Sequence, residues 1–135
     1  MKILLAEDDF ASRKFMSKLL GEYGECDVTV NGLEAVDAYL MALEDEDEDN
    51  YDLVILDVMM PMLDGYQVLD TIRKIEKERN LPAEQKARVI MTTALNQEIN
   101  VKKAMEIGCD AYVGKPVNVE KFTILLERLG FVAKK

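Results

Sequence analysis

Four short stretches of the chain carry side chains that could do chemistry together: Glu7-Asp8-Asp9, Asp57, Thr92-Thr93 and Gly114-Lys115-Pro116. Three or four carboxylates, a hydroxyl and an ammonium form a set suited to handling a phosphoryl group. Carboxylates drawn together repel and raise one another's pKa, and a hard divalent cation relieves that repulsion. Mg²⁺ takes one or two carboxylates with several waters and pairs naturally with phosphate oxygens. Zinc suits the set less well, because the chain has no His and its two cysteines, Cys26 and Cys109, stand elsewhere. With a metal bound, the Asp57 carboxylate can attack phosphorus and form an acyl phosphate. The metal, the Lys115 ammonium and the Thr93 hydroxyl would then stabilise charge on the transferred group. Such catalysis is positioning plus electrostatics. Histidine-based catalysis and histidine metal ligation are excluded outright.

This chemistry requires that the four stretches meet, and the pattern of elements says where they would. Short apolar runs alternate with helix-period segments. The strands are read at Ile3–Ala6, Cys26–Val30 (alternating and β-branched, hence edge-like), Leu53–Leu56, Val89–Thr92 and Ala111–Val113. Between and after them, helices are read over Ser12–Glu22 with Phe15, Met16, Leu19 and Leu20 on one face, and after Asn31-Gly32 with Leu33, Val36, Leu40 and Leu43. A loop from Val58 to Asp64 leads to a third helix bearing Leu69, Ile72 and Ile75, and a fourth spans about Glu98 to Ile107. The last opens at Asn118 as N-cap and buries Phe122, Leu125, Leu126 and Leu129. Five β-α pairs in strict alternation predict an α/β fold, with a parallel sheet and helices on both faces. The run Leu53 to Leu56, apolar without alternation, is the central strand of such a sheet. In open α/β sheets ligands bind beyond the C-terminal ends of the strands. Those ends are Glu7-Asp8-Asp9, Asp57, Thr92-Thr93-Ala94 and the Gly114-Lys115-Pro116 that follows the fifth strand. Taken singly, Asp57 is a turn residue, Asp9 a helix cap and Lys115 a surface lysine. Taken jointly, each at a different strand end, they predict one shared site.

The bulk numbers are compatible with this. A chain of 135 residues, 49% hydrophobic and 32% charged, fits one soluble globular domain. The formal net charge of −9 disfavours nucleic acid and anionic membrane as partners. Six of the negative charges come from the consecutive acids Glu44 to Asp49, read as a solvated loop after the second helix, with docking to a basic partner as the minority view. No segment approaches the ~20 apolar residues of a membrane span, and the N-terminal apolar stretch ends at Glu7, too short for a signal-peptide core. Two distant cysteines without a CxxC spacing read as a reduced pair in a cytoplasmic protein. The charged stretch Glu76 to Ala87 extends the third helix or forms a surface loop, and carries no assigned function.

The stretches Ile3 to Asp9, Leu56-Asp57-Val58-Met59-Met60-Pro61-Met62-Leu63-Asp64-Gly65, Thr92-Thr93-Ala94 and Gly108 to Pro116 resemble the receiver domain of two-component response regulators. The resemblance covers nearly the whole chain, from Lys2 to about Leu129, and implies a single receiver domain over 1–135 without an output domain. It implies a doubly wound, flavodoxin-like five-stranded sheet of order 2-1-3-4-5. It implies that Asp57 accepts phosphate from a sensor histidine kinase or phosphotransfer protein. Asp8, Asp57 and the Met59 backbone carbonyl would hold Mg²⁺, with Glu7 acting through water. Lys115 would contact the phosphoryl group, with Pro116 after a cis peptide bond. Thr93 and Tyr112 would be the switch residues, coupling phosphate to the face made by helix four, strand five and helix five. The implied protein is a cytoplasmic signalling switch for a downstream protein target, not an enzyme on an external substrate. Phosphorylation-dependent homodimerisation through the same face is one of the outputs open to it.

Departures from the family pattern sharpen this. Glu7 replaces the more frequent Asp and leaves the metal role intact. Met59 and Leu95 stand where related domains tune dephosphorylation, and neither can orient an attacking water with a polar side chain, so slow intrinsic loss of phosphate is expected. Cys109 stands where a small residue is usual and reads as packing. The same residues disfavour two rival classes. A phosphohydrolase with an aspartyl-phosphate intermediate needs a second acid two residues beyond the nucleophile, where Met59 stands. A flavodoxin-type cofactor carrier needs a Gly- or hydroxyl-rich phosphate loop after the first strand, where Glu7-Asp8-Asp9 would repel phosphate.

Overall fold

The computed structural model describes residues 1–47, 49–94 and 101–133. Five parallel strands, β1 (Lys2–Ala6), β2 (Glu25–Thr29), β3 (Leu53–Asp57), β4 (Arg88–Ala94) and β5 (Ala111–Lys115), form one sheet in the order β2-β1-β3-β4-β5. The described helices are α1 (Phe10–Gly21), α2 (Gly32–Glu44), α3 (Gly65–Glu78), α4 (Val101–Ile107) and α5 (Val119–Arg128), with a short 3-10 turn at Ala83–Gln85. The expected doubly wound α/β sheet with helices on both faces is what the chain forms.

Side chains alternate across a strand, so each inner strand feeds two cores. Ile3, Leu5, Leu53, Ile55 and Ile90 meet Met16 and Leu20 of α1 and Phe122 and Leu126 of α5. Leu4, Ala6, Val54, Leu56, Val89 and Met91 point the other way, toward α2, α3 and Ala104 of α4. This double coverage is why Leu53 to Leu56 shows no polar alternation: every residue of β3 is buried. β2 lies at one edge and keeps its mixed composition.

Two helix faces differ from the sequence reading. Phe15 is 46% exposed on α1, where Met16 and Leu20 take the core. On α2, Leu33 is 45% exposed and the core face is Ala35, Val36, Tyr39 and Ala42. That helix is apolar nearly all round, so spacing alone could not fix its rotation. The choice falls to Tyr39, whose hydroxyl donates to the buried Glu76 carboxylate of α3 at 2.7 Å. Strands β4 and β5 each run two residues past their expected ends, which brings Thr93 and Lys115 into the sheet. The stretch from Glu76 both extends α3, to Glu78, and then forms a surface loop. Cys26 and Cys109 are free thiols packed on opposite faces of the sheet, so they cannot pair with each other. Burial raises the pKa of both, that of Cys26 to about 11. Leu95, the start of the fourth helix at Glu98, Glu48 within the acidic run and the ending Lys134-Lys135 lie outside the described residues.

Candidate functional site

Strand register assembles the site. Ala6 pairs with Leu56, which sets Glu7 beside Asp57 at the C-terminal edge of the sheet. Asp57 pairs with Thr92 on its other side, and Ala94 with Lys115 one strand further. Residues separated by up to 108 positions in sequence thus share one edge, and Lys115 ion-pairs there with Glu7.

Local chemistry shapes each contributor. Past β1 the chain turns into α1 through Asp9, an N-cap whose carboxylate accepts from the Ser12 N–H at 2.8 Å. That hydrogen bond, helped by the Lys115 and Arg13 charges, holds the Asp9 pKa below its ordinary value. Arg13, one turn into α1, donates to the carbonyls of Glu7 and Asp8 at 3.1 and 3.2 Å and so fixes the turn that aims both acids. Past β3 the loop returns through Asp64, which caps α3 in a reciprocal capping box with Gln67. Gly65 follows because the helix start lies against the strand end: a Cβ there would meet the Asp57 carbonyl oxygen at 2.6 Å. The Lys115–Pro116 peptide bond is cis.

Glu7 and Asp57 are 2% and 5% exposed, whereas Asp8 is open to solvent. One oxygen from each of the three carboxylates falls within 4.8 Å of the others, a donor set able to hold a cation. Three acids of this hardness, two buried and one facing water, fit a divalent ion that retains part of its hydration. Lys115 reaches the same acids, its Nζ bonded to Glu7 and 3.2 Å from an oxygen of Asp57. Burial, joined by the hydrogen bond and charge of Glu7, pushes the Asp57 pKa up to about 7, against the pull of Lys115. For Lys115 burial works the other way, but the bonds and charges of Glu7 and Asp57 outweigh it and its pKa is raised.

Thr93 is fully buried at the end of β4. Tyr112 is half-buried on β5, its hydroxyl 3.1 Å from that of Tyr66 on α3. Met59 stands in the loop after Asp57 with its side chain 58% exposed. A groove of about 790 Å³, lined in part by Arg73, Lys77, Lys86, Arg88 and Asp110, lies at the other ends of the strands and contains none of these residues.

Sequence reading missed Arg13, Tyr66 and the buried Glu76. An arginine four residues after a helix cap is a weak signal, and Tyr66 follows Asp64-Gly65 with nothing in its spacing to mark it. Glu76 opens the charged stretch expected to extend the third helix or form a surface loop, and nothing in its spacing marks it as buried.

A family model described as the response regulator receiver domain matches residues 3–127. The chain is 33% identical over 116 residues to the chemotaxis protein CheY of Halobacterium salinarum, covering 85% of this chain and 84% of that one. It is 32% identical over 129 residues to two-component response regulator 24 of Arabidopsis thaliana, covering 95% and 83%. Among solved structures, the receiver domain of a sensor histidine kinase from Pseudomonas aeruginosa, with a magnesium ion coordinated in its active site cleft, superposes with a TM-score of 0.71 at 25% identity, covering 94% of each chain. The chain spans about half (55%) of the length of a transcriptional-regulator relative from Porphyra purpurea, and 4% to 7% of histidine kinases from Dictyostelium discoideum and Schizosaccharomyces pombe. A match over nearly the whole chain, on a sheet of this strand order, leads to one family: the chain belongs to the receiver domains of two-component response regulators.

Proposed function

We propose that this receiver is a phosphorylation-controlled switch in which Asp57 accepts the phosphoryl group. One observation carries the reading: a carboxylate oxygen of Asp57 lies within 4.8 Å of one each from Glu7 and Asp8, and the Lys115 ammonium, paired with Glu7, stands 3.2 Å from Asp57. A nucleophile that shares its site with further acids able to hold a cation and with a fixed ammonium is what phosphoryl transfer needs. A sensor histidine kinase or phosphotransfer protein supplies the group. An Asp57 oxygen forms the new O–P bond as the P–N bond to the donor histidine breaks, and the imidazole leaves with that electron pair.

Asp8, Asp57 and the Met59 carbonyl would hold Mg²⁺, with Glu7 acting through water. When bound, that ion supplies charge neutralisation at the phosphoryl oxygens. Lys115 pairs with the phosphoryl group, and Thr93 offers it a hydroxyl. Tyr112 follows Thr93 and carries the change to the α4-β5-α5 face, where a downstream protein binds or a second copy pairs. The domain catalyses only its own phosphorylation and slow dephosphorylation, and it works in the cytoplasm. Among the described residues no helix is long and apolar enough to cross a membrane.

Incubation with acetyl phosphate and Mg²⁺ tests this. Intact-mass analysis should show one added phosphoryl group in the wild type, none in Asp57→Asn and none after chelation of the metal. The acyl phosphate should then persist for minutes or longer, because the exposed Met59 side chain offers no polar group to orient water. Labelling of Asp57→Asn would overturn the assignment, and a half-life of seconds would overturn the stability of the signal.

A further inference from the structure

Of the three acids that follow β1, two are anchored by the elements on either side. Glu7 continues the sheet, its backbone N–H donating to the Thr29 carbonyl of β2 at 3.1 Å. Asp9 belongs to α1, as N-cap and through its carbonyl, which accepts from the Arg13 N–H at 2.9 Å. Asp8 stands between them and is open to solvent. Among the described residues, the hydrogen bond that anchors it is the one its carbonyl accepts from Arg13 Nη1 at 3.2 Å. The same nitrogen donates to the Glu7 carbonyl at 3.1 Å. The guanidinium in turn lies over the Phe10 ring, 5.6 Å from its centroid, so it is held from below as well.

Arg13 has two opposed effects on a cation held by these acids. Its charge repels the ion. Its bonds fix the backbone that carries Glu7 and Asp8, so less ordering is left to be done when the ion arrives. The charge acts across a part-exposed turn, where water and salt screen it. The bonds act directly on the peptide of the one acid with no other anchor, and a guanidinium loses little freedom per bond it makes. Positioning therefore outweighs repulsion. We propose that Arg13 is a positioning residue for the divalent cation: it holds Asp8 beside Glu7 and Asp57, and raises cation affinity despite its own positive charge. This rests on the reading of Asp8 and Asp57 as cation-holding acids given above.

The probe is Mg²⁺ alone, titrated while NMR follows the amide shifts of residues 7–9 and 57–59. Arg13→Met keeps an unbranched apolar stem against Phe10 and removes both bonds and the charge. Its Mg²⁺ affinity should fall about tenfold, the low end for loss of a partner that orients metal ligands. Lys14→Met removes a like charge from the next, exposed position of α1, and its affinity should hold or rise. Arg13→Lys keeps the charge but not the planar fork, and its affinity should lie between those of wild type and Arg13→Met. If Arg13→Met does not fold, a loss in Arg13→Lys carries the same conclusion, because the charge is unchanged. Melting temperatures in chelator read general stability separately. An Arg13→Met affinity that equals or exceeds that of wild type would overturn the proposal, as would a lowered melting temperature with affinity intact. If Asp8→Asn leaves the wild-type Mg²⁺ response unchanged, the reading of the acids fails and this inference goes with it.

Discussion

At the scale of single residues, the most telling feature is the state of Asp57. A buried carboxylate beside another carboxylate is a poor place for negative charge, and Lys115 offsets this only in part, so its pKa rises to about 7. The sign of the linkage follows. In the unfolded chain Asp57 titrates near 3.8, so between there and about 7 the folded state binds the extra proton. Stability contributed by this group is present in full below 3.8 and is lost as pH rises through about 7. With the metal chelated, Asp57→Asn should therefore melt above the wild type well past neutrality, and the gap should close toward pH 4, as scanning calorimetry at both ends would show. A gap that widened on acidification would mean that Lys115, not burial and Glu7, governs this carboxyl.

At the scale of elements, helix α3 joins the two ends of the molecule. Its N-terminus, capped by Asp64, sets Gly65 and Tyr66 against the site. Its C-terminal half carries Glu76, only 1% exposed, which accepts from the Tyr39 hydroxyl at 2.7 Å, from Arg73 at 2.7 Å and from the Ala87 N–H at 2.9 Å. Arg73 also donates to the carbonyls of Gly108 and Ala87 and to Asp110, so α2, α3, β4 and the turn into β5 are tied at one point. Removing one partner of a buried charged cluster strands the others. Glu76→Ala should cost about 3–5 kcal/mol in urea unfolding, and Tyr39→Phe about 1 kcal/mol. A Glu76→Ala cost no larger than that of Tyr39→Phe would show that water replaces the carboxylate freely. Helix α4 contrasts with this: over its described residues, Val101–Ile107, Ala104 is the one that is buried.

At the scale of the whole molecule, the length of the sheet separates two groups of acids. The described acids Asp45, Glu46, Asp47 and Asp49 follow α2 and precede β3, at the strand ends opposite the site. At about 3.3 Å per residue β3 alone spans more than the Debye length of about 8 Å at physiological salt. Replacing Asp45, Glu46, Asp47 and Asp49 by their amides should leave the rate of acetyl-phosphate labelling within about twofold and stability within about 0.5 kcal/mol. A larger loss of labelling would give the run a part in the chemistry that its position denies it. The same geometry explains what was legible beforehand. Strand and helix order, the two-sided burial of β3, the caps at Asp9 and Asn118 and the strand-end residues Glu7, Asp8, Asp57, Thr93 and Lys115 could be read from the chain, because period, capping and end position are local properties. The rotation of α2, the exposure of Phe15, the burial of Glu76 and the pairing of Tyr66 with Tyr112 could not, since each depends on what a different element presents across the gap. The sequence by itself determined which groups stand at the ends of the strands. Only the tertiary structure decided which of them share a proton, an ion pair or a hydroxyl, because those interactions act over a few ångströms between residues tens of positions apart.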